Sequence, residues 1–412
     1  MKQVIVIGGG ASGLMAAVTA ASKGAAVTLL EGMEKPGKKI LVTGNGRCNL
    51  TNTDETRKDR YRGSSPEFIE TVLGQFPVSK TMEYFEQLGL LLKNRNGYVY
   101  PYVNQASAVQ ELLLMEAARL HVKVKCNEKV KHLEKTENGW KVQTETWCYS
   151  CHRVILAAGS RALPGTGSDG SGYVLAKSLG HRIITPMEAL VPLKVRENWV
   201  RKLAGIRMPA RITLKVFPDG KIRDHSPLKW YQEDGELQWT EYGISGIVVF
   251  QLSRYAVRAL AEKKNVTAEL DLMPEYEEEQ LFLHMKNRMR YERAEEWLTG
   301  LLPKKMISVI LELCGLRASK KVSDLTESEI RSVVDQCKQL TLHITGSRSF
   351  DAAQVCSGGV DTDQVDPVTL ESKCNPGLYF AGEILDVDGI CGGYNLQWAW
   401  SSGYAAGLHS AK

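Results

Sequence analysis

The sequence predicts an α/β fold: one discontinuous domain on a parallel sheet, interrupted by an inserted module of strands and then helices. Three observations predict it. A β-branched run, residues 3–7, leads through Gly8-Gly9-Gly10-Ala11-Ser12-Gly13 into small helix-forming residues, as a buried parallel strand feeding a helix does. Two later apolar runs, residues 154–158 and 378–381, stop at Gly159 and Gly382. Between them, from about residue 190, the texture changes to strands joined by Pro- and Gly-containing turns, followed by a charged helical stretch.

Taken in order, residues 14–22 read as a helix ended by Gly24, and residues 26–30 as a second strand closed by Glu31. That is a β-α-β unit of about 30 residues. Residues 66–92 read as a helical region ending at Gly89, and 106–120 as a helix with Leu112, Leu113, Met115, Ala117 and Leu120 near helical spacing. A strand at 122–126, a meander at 130–133, 140–144 and 146–150, and a helix at 172–179 complete the first part. The insertion offers strands at 190–195, 210–216, 237–240 and 266–270, then helices over 275–335, the last opened by a Thr326 and Glu329 capping box. Strands at 340–344 and 378–381 and a helix at 396–408 follow. The expected domains are 1–190 with 351–412, an inserted β-barrel-like domain at 191–272 with 339–350, and a helical subdomain at 273–338.

A chain of 412 residues has room for two or three domains, because single cores seldom exceed about 250–300 residues. Its 52 Lys and Arg barely outnumber its 47 Asp and Glu and are spread along the chain. A nucleic-acid partner would call for a clustered basic stripe. Nine scattered cysteines do not make a disulfide framework, so a reducing cytoplasm is the simpler location. The apolar N-terminal run is broken by glycines at turn spacing, and no stretch reaches the roughly 18 apolar residues of a membrane span. Neither export nor a membrane is expected.

In the first loop Gly8 permits the tight turn, Gly10 lets backbone approach a pyrophosphate, and Gly13 lets helix pack on strand. The helix N-terminus offers unpaired N–H groups and the positive end of its dipole to phosphates. Glu31 stands 18 residues past Gly13, near the roughly 20 expected of the acid that binds ribose hydroxyls. The domain is therefore Rossmann-like. A late strand and C-terminal helix, of the kind that close a flavin site, favour FAD over NAD.

Three segments carry a closer likeness. Pro36-Gly37-Lys38-Lys39-Ile40-Leu41 leads into Thr43-Gly44-Asn45-Gly46-Arg47-Cys48-Asn49-Leu50-Thr51-Asn52. Gly377 to Gly389 contains Ala381-Gly382-Glu383-Ile384-Leu385-Asp386-Val387-Asp388, and it continues as Gly392-Gly393-Tyr394-Asn395-Leu396-Gln397-Trp398-Ala399. Ser357-Gly358-Gly359-Val360 also fits. Over essentially its whole length the chain resembles the BaiN-like family of FAD-dependent oxidoreductases, also described as HI-type or aminoacetone-oxidase-like flavoproteins. The resemblance implies non-covalent FAD. Gly8, Gly10, Ala11, Ser12 and Gly13 would hold its pyrophosphate and Glu31 its adenosine ribose. Lys38, Lys39, Thr43, Asn45, Gly46, Arg47 and Cys48 would run along it. Val130 would meet the adenine, with Ala158 and Gly159 at the end of the second strand. Gly382 and Glu383 would lie near the pyrophosphate and ribityl chain. Gly393, Asn395 and Leu396 would present a helix start to the flavin ring, where reduced flavin carries negative charge, and Gly392 and Gly393 would let the backbone come close.

The sequence departs from the family at Thr240-Glu241-Tyr242-Gly243-Ile244-Ser245-Gly246-Ile247, where many members carry His and Pro in place of Glu241 and Ile247. Tyr394, Glu241, Tyr242 and Cys391 are the candidates to act at the substrate, Tyr being suited to donate a proton. Cys391 reads equally as a small residue filling a tight turn.

Some motifs are declined. Cys148-Tyr149-Ser150-Cys151-His152 matches a haem-attachment pattern, but it lies in a strand whose alternate side chains face opposite ways. No metal is expected, since no second ligand pair has metal spacing. Gly165-Thr166-Gly167-Ser168-Asp169-Gly170 repeats GxGxxG after Pro164 rather than after a strand, and reads as a helix-entry turn. A nicotinamide donor, NADH or NADPH, would then dock without its own Rossmann domain. Cys48 reads as a structural thiol packed against the cofactor.

Three activities stay open. The first is an NAD(P)H-linked flavin reductase of an activated C=C bond in a small organic or steroid-like substrate, an activity known in the family. The second is a flavin amine or aminoketone oxidase making hydrogen peroxide. The third is a flavin-carrying binding or regulatory protein. Substrate is expected between the FAD domain and the insertion, since sites favour domain boundaries.

Overall fold

The computed structural model describes residues 1–57, 59–218, 226–288 and 290–412. It divides into two units, Met1–Glu188 with Phe350–Lys412, and Ala189–Ser349.

The first unit is built on five parallel strands in the order Leu378–Phe380, Arg153–Leu156, Gln3–Ile7, Ala26–Leu30 and Lys123–Lys125. The central strands are nearly continuous β-branched and Leu runs because helices cover both faces of such a sheet. Val4, Val6, Val154, Ile155 and Leu156 are all buried. Helix Ala11–Ser22 packs along helix Tyr394–Ser410. The two backbones almost touch: a Cβ on Gly403 would stand 2.4 Å from the Ser12 carbonyl oxygen, and one on Gly407 2.4 Å from that of Ala16. Trp400, fully buried, donates its indole N–H to Leu50 O at 2.9 Å and meets Phe85 edge-on. This ties the C-terminal helix to the segment after the Thr43–Gly46 turn. The meander consists of Val130–Thr136, Gly139–Thr144 and Cys148–Cys151.

The second unit is a closed six-stranded barrel in the order Leu193–Val195, Gly243–Ser245, Lys229–Thr240, Arg207–Phe217, Asn265–Asp271 and Leu340–Ser347. Along Arg207–Phe217 every second residue, Met208, Ala210, Ile212, Leu214 and Val216, is buried, the period-2 signature of a one-faced strand. Helices Glu278–Lys286, Ala294–Trp297, Lys304–Leu313 and Glu327–Lys338 share this barrel's core. The capping box at Thr326 is formed with Glu329. Among the described residues no helix is long and apolar enough to cross a membrane.

Three sequence expectations need correction. The helical region at 66–92 is two helices, Pro66–Gln75 and Val78–Gln87, because Pro77 has no N–H to continue the first. Residues beyond Gly89 turn into a hairpin, Leu92–Arg95 with Tyr98–Pro101. Its Asn96-Gly97 turn has φ of 52° and 91°, the paired left-handed conformation that Asn-Gly favours. The strand at 190–195 begins only at Leu193, since Leu190 sits at φ 50° and Pro192 follows. A whole helix, Ile247–Ala261, went unread, although Val248, Leu252, Ala256 and Ala259 recur at helical spacing and are buried.

His181 is expected to make the stability of the first unit depend on pH. It is 3% exposed, with Nδ1 3.1 Å from Ala176 O and Nε2 2.8 Å from Ser372 Oγ. Ser372 Oγ already accepts from the N–H groups of Cys374 and Asn375. Its own proton therefore points to Nε2, and the ring is neutral. Burial holds the pKa below its ordinary 6.5. With the folded value depressed, the unfolded chain takes up the proton first, so stability is full above about 6.5 and falls as pH drops through the lower folded value. The urea midpoint should fall between about pH 7 and pH 5, and His181→Gln should flatten that fall. An unchanged slope in the variant would exclude His181 as the source.

Candidate functional site

At the carboxyl end of Gln3–Ile7 the chain turns at Gly8, with φ 99°, and enters helix Ala11–Ser22 with Gly10 as its N-cap. The loop glycines differ in kind. A Cβ on Gly13 would lie 1.9 Å from Gly8 O, and one on Gly8 2.5 Å from Ala157 O. These two are packing positions. A Cβ on Gly10 would meet nothing within 4 Å. Open space therefore lies over the positive end of a 12-residue helix, where an anion is stabilised by free N–H groups and dipole together.

Glu31 closes the same end of the sheet. Its Oε2 accepts from Gly9 N–H at 2.7 Å and its Oε1 from Met33 N–H at 2.8 Å. Burial pushes its carboxyl pKa up, against the backbone N–H groups of Met33, Gly9 and Gly32, which pull it down. Val130 is brought to this end as well: the neighbouring Lys129 packs within 3.5 Å of a Cβ built on Gly32. So is the second glycine-rich loop. It is a helix-entry turn leading to Ser171–Ser178. A Cβ on its Gly167 would stand 2.8 Å from Met33 Cγ and 3.6 Å from Glu31 Oε1. Sequence gave no sign of that neighbour. Ala158 and Gly159, φ 72°, follow Arg153–Leu156, and Gly159 lies against Ser168.

On the other side of the loop helix, Ser12 Oγ donates to Ala381 O at 3.3 Å, and a Cβ on Gly382 would collide with that same Oγ at 2.2 Å. Lys39 Nζ donates to Glu383 Oε2 at 2.6 Å. The other Glu383 oxygen is buried and has no hydrogen-bond partner among the described residues. Lys38 pairs instead with Glu34 at 3.1 Å. Next comes a run of left-handed backbone: Gly44, Asn45, Gly46 and Cys48 at φ 56°, 54°, 79° and 57°. Two of these are not glycine, so the loop is held under strain by its surroundings. Thr43 O accepts Cys48 N–H at 3.0 Å, Thr43 Oγ1 donates to Ile40 O, and Arg47 Nε donates to Gly44 O. Cys48 is fully buried and burial pushes its thiol up to about 12. It is a packed, protonated thiol.

Helix Tyr394–Ser410 starts at Gly393. Asn395 clamps the preceding turn, its Oδ1 accepting from Gly389 N–H and its Nδ2 donating to Gly389 O and Ile390 O. The backbone N–H groups of Asn395 and Leu396 lie in the helix's first turn. Gly392 and Gly393 do permit a close approach, but on their Cβ sides to protein. The neighbours there are Tyr98 Cε1 at 2.9 Å and Thr51 O at 2.6 Å. Asn49, a functional candidate beyond those the sequence motifs single out, is buried 3.0 Å from that Gly393 position, and its Oδ1 has no partner among the described residues. Its place in the Arg47-Cys48-Asn49 motif was the available signal.

The four candidates for acting at the substrate divide between the units. Tyr394 is 4% exposed. It donates its hydroxyl to Asp54 O at 2.8 Å, its carbonyl accepts from Tyr61, and burial raises its pKa to about 12. Cys391 lies beside it with a thiol pushed up to about 11 by burial. Glu241 and Tyr242 form the two-residue turn between Lys229–Thr240 and Gly243–Ser245 in the second unit. Glu241 is exposed there, and the Arg348 guanidinium lies 4.9 Å from the Tyr242 ring centroid. In the declined Cys148 to His152 segment, Cys148 is exposed, Cys151 is buried, and His152 Nδ1 accepts from Gln3 N–H.

The residues of the first unit fit a dinucleotide with an extended polyol. They provide an open helix N-terminus, a carboxylate at ribose distance along the chain, and buried oxygens on Glu383 and Asn49 awaiting donors. The HI0933-like protein Rossmann domain family matches residues 2–409. A 3-dehydro-bile acid delta(4,6)-reductase of Clostridium scindens is 44% identical over 417 aligned residues, covering all of both chains. Ribosomal RNA dihydrouridine synthases are also similar. That of Haemophilus influenzae is 31% identical and covers 98% of this chain and 97% of its own. That of Escherichia coli is 27% identical, covering 97% and 96%.

Proposed function

We propose, from the premise that this chain belongs to the HI0933-like family, that it is an FAD-dependent reductase. It would saturate a C=C bond conjugated to a carbonyl in a steroid-like substrate, with NADH or NADPH as donor. The observation that carries the reading is the open cradle at Gly10 in a chain that aligns end to end with a bile acid reductase. In this reading Gly10, Ala11, Ser12 and Gly13 hold the FAD pyrophosphate. Glu31 holds the adenosine ribose, with Val130, Ala158 and Gly159 lining the adenosine end. Lys38, Lys39, Thr43, Asn45, Gly46, Arg47 and Cys48 follow the length of the cofactor. Gly382 and the free oxygen of Glu383 take the pyrophosphate and ribityl region, and Gly393, Asn395 and Leu396 face the ring. FAD, when bound, supplies a two-electron carrier that accepts and donates hydride.

The chain's own contribution is positioning and proton control. Net reduction adds one hydride, originating on NAD(P)H, and one proton from solvent across the double bond. Asn395 fixes the Gly389–Ile390 turn and with it the helix start, whose first-turn N–H groups would stabilise negative charge on a ring held there. Tyr394 keeps its proton on Asp54 O and serves this reading better as a support for that turn than as the acid. Cys391, half-buried with its thiol pushed up to about 11, keeps its proton and is the candidate donor of the first unit. Glu241, in place of the family's His, is the corresponding candidate of the second.

A second reading has the same chemistry. The ring C=C of uridine is also conjugated to a carbonyl, and two relatives that align almost end to end are named as ribosomal RNA dihydrouridine synthases. One experiment sorts them. The FAD-loaded protein is mixed anaerobically with NADH or NADPH, and absorbance is followed at about 450 nm, where oxidised flavin absorbs. Rapid bleaching is expected, then recovery of colour on adding a 3-oxo-Δ4 steroid acid. Recovery with a uridine-containing RNA and not the steroid would move the substrate to the second reading. No bleaching by either dinucleotide, with oxygen uptake on an amine, would sink both.

A further inference from the structure

Beside the Asn45 to Cys48 turn stands a three-stranded sheet of Thr51–Asn52, Tyr98–Pro101 and Leu92–Arg95. Its register sets Lys93 opposite Tyr100 and Arg95 opposite Tyr98. Residues directly opposed in an antiparallel pair project from the same face. One face therefore carries two cations and two phenol rings as a square, while Val99 and Pro101 fill the core on the other. The array extends at both ends. The Arg47 guanidinium lies 5.4 Å from the Tyr100 ring centroid, and Lys93 Nζ lies 5.6 Å from that of Tyr102, which is 64% exposed.

Among the described residues no carboxylate is ion-paired with Arg47, Lys93 or Arg95. The contacts seen are from Arg47 to Gly44 O and from Lys93 to Tyr102 O. The three share one field: partial burial and the charges of Arg95 and Arg47 lower the Lys93 pKa. Asp54, whose charge bears on Tyr98, accepts from the Thr56 N–H and hydroxyl. The face also adjoins the C-terminal turn, since Tyr98 Cε1 is 2.9 Å from where a Gly392 Cβ would be.

We infer that this face is the docking site of the nicotinamide dinucleotide donor, with its phosphates on Lys93 and Arg95 and its adenine against the tyrosine rings. The inference rests on the reductase reading given above. Charge complementarity selects this occupant. Lys93 and Arg95, with no carboxylate partner among the described residues, exceed what a single steroid carboxylate needs and match the two charges of a pyrophosphate. Phenol faces flanked by cations suit a planar base. The Gly8 to Glu31 unit is taken by FAD in that reading, so the donor requires another place, and this one lies against the turn assigned to the flavin.

The FAD-loaded protein and its Lys93→Glu/Arg95→Glu and Tyr100→Ala variants are titrated calorimetrically with NADP+ and NAD+, which bind without reducing. Reversing two phosphate-facing charges should raise the dissociation constant about tenfold or more, and removing the ring should raise it severalfold. FAD content, thermal midpoint and bleaching by dithionite should stay as in the wild type, which shows that the fold is intact. Wild-type binding with unchanged variant constants overturns the site and leaves the reductase reading standing. A wild type that binds neither dinucleotide, and is bleached by neither, sinks both. Variants that keep the dinucleotide but lose an oligouridylate overturn the site in favour of RNA.

Discussion

Gly13→Ala is expected to unfold the first unit or leave it too unstable to hold FAD, while Gly10→Ala folds normally and fails only to bind the cofactor. The two glycines are three residues apart, and the difference is geometric. The Gly13 Cβ would stand 1.9 Å from Gly8 O, a backbone atom between the central strand and its helix. Neither element can move without breaking the register of Gln3–Ile7 with both neighbours. Overpacking of this kind costs about 1–3 kcal/mol where side chains can give, and more where backbone must. At Gly10 the added methyl meets nothing, and φ −74° suits alanine. The stability cost there is the loss of a favoured N-cap, under about 1 kcal/mol. The methyl would, however, occupy the space assigned to the pyrophosphate, at about 1–3 kcal/mol, or roughly tenfold to a hundredfold in FAD affinity. Urea unfolding of the apoproteins and FAD titration read the two effects separately. Equal destabilisation by both substitutions would remove the packing-versus-cradle distinction.

Lys39→Ala should be the next most damaging change, and the double variant Lys39→Ala/Glu383→Gln should be milder in stability than the single. Lys39 Nζ and Glu383 Oε2 are 2.6 Å apart with side chains 22% and 17% exposed. Removing the cation leaves a mostly buried carboxylate with one oxygen already unpartnered. A fully buried orphaned charge costs about 3–5 kcal/mol, and this partly solvated one about 2 kcal/mol. Glu383→Gln alone leaves a buried ammonium and should cost somewhat less, because the longer Lys39 side chain can reach water. In the double variant neither charge remains, so stability should recover by about 1 kcal/mol or more over Lys39→Ala. FAD affinity should not recover, because the Lys39 cation assigned to the cofactor is still missing. A double-mutant cycle on unfolding, run beside FAD titration, separates a structural ion pair from a cofactor contact. Purely additive effects would show that the pair is not coupled.

Much of the candidate site was legible as local structure because its residues are consecutive. Gly8 to Gly13, Glu31, Asn45 to Cys48 and Gly382 to Leu396 each announce a local conformation that few other residues permit. The parallel strands were legible too, since a strand covered on both faces is apolar throughout. Local reading failed where two patterns of similar strength competed. The helical period of residues 66–92 hid the stop at Pro77 and the Asn96-Gly97 hairpin beyond it. Helix Ile247–Ala261 lay inside a stretch already read as strands and turns.

The sequence by itself determined the α/β class, the interruption by a barrel and helices, the glycine-rich strand–loop–helix unit and the family. Each of these is written in runs of neighbouring residues whose backbone preferences or apolar period act locally. Only the tertiary structure decided which loop glycine is packed and which is open. It also showed that Glu383 keeps a free buried oxygen beside Lys39, that Tyr394 spends its hydroxyl on Asp54, and that Lys93, Arg95, Tyr98 and Tyr100 share one face. The physical reason is that these properties belong to distances between segments tens to hundreds of residues apart. Register, burial and hydrogen-bond partners fix such distances, and none of them has a local signature in the chain.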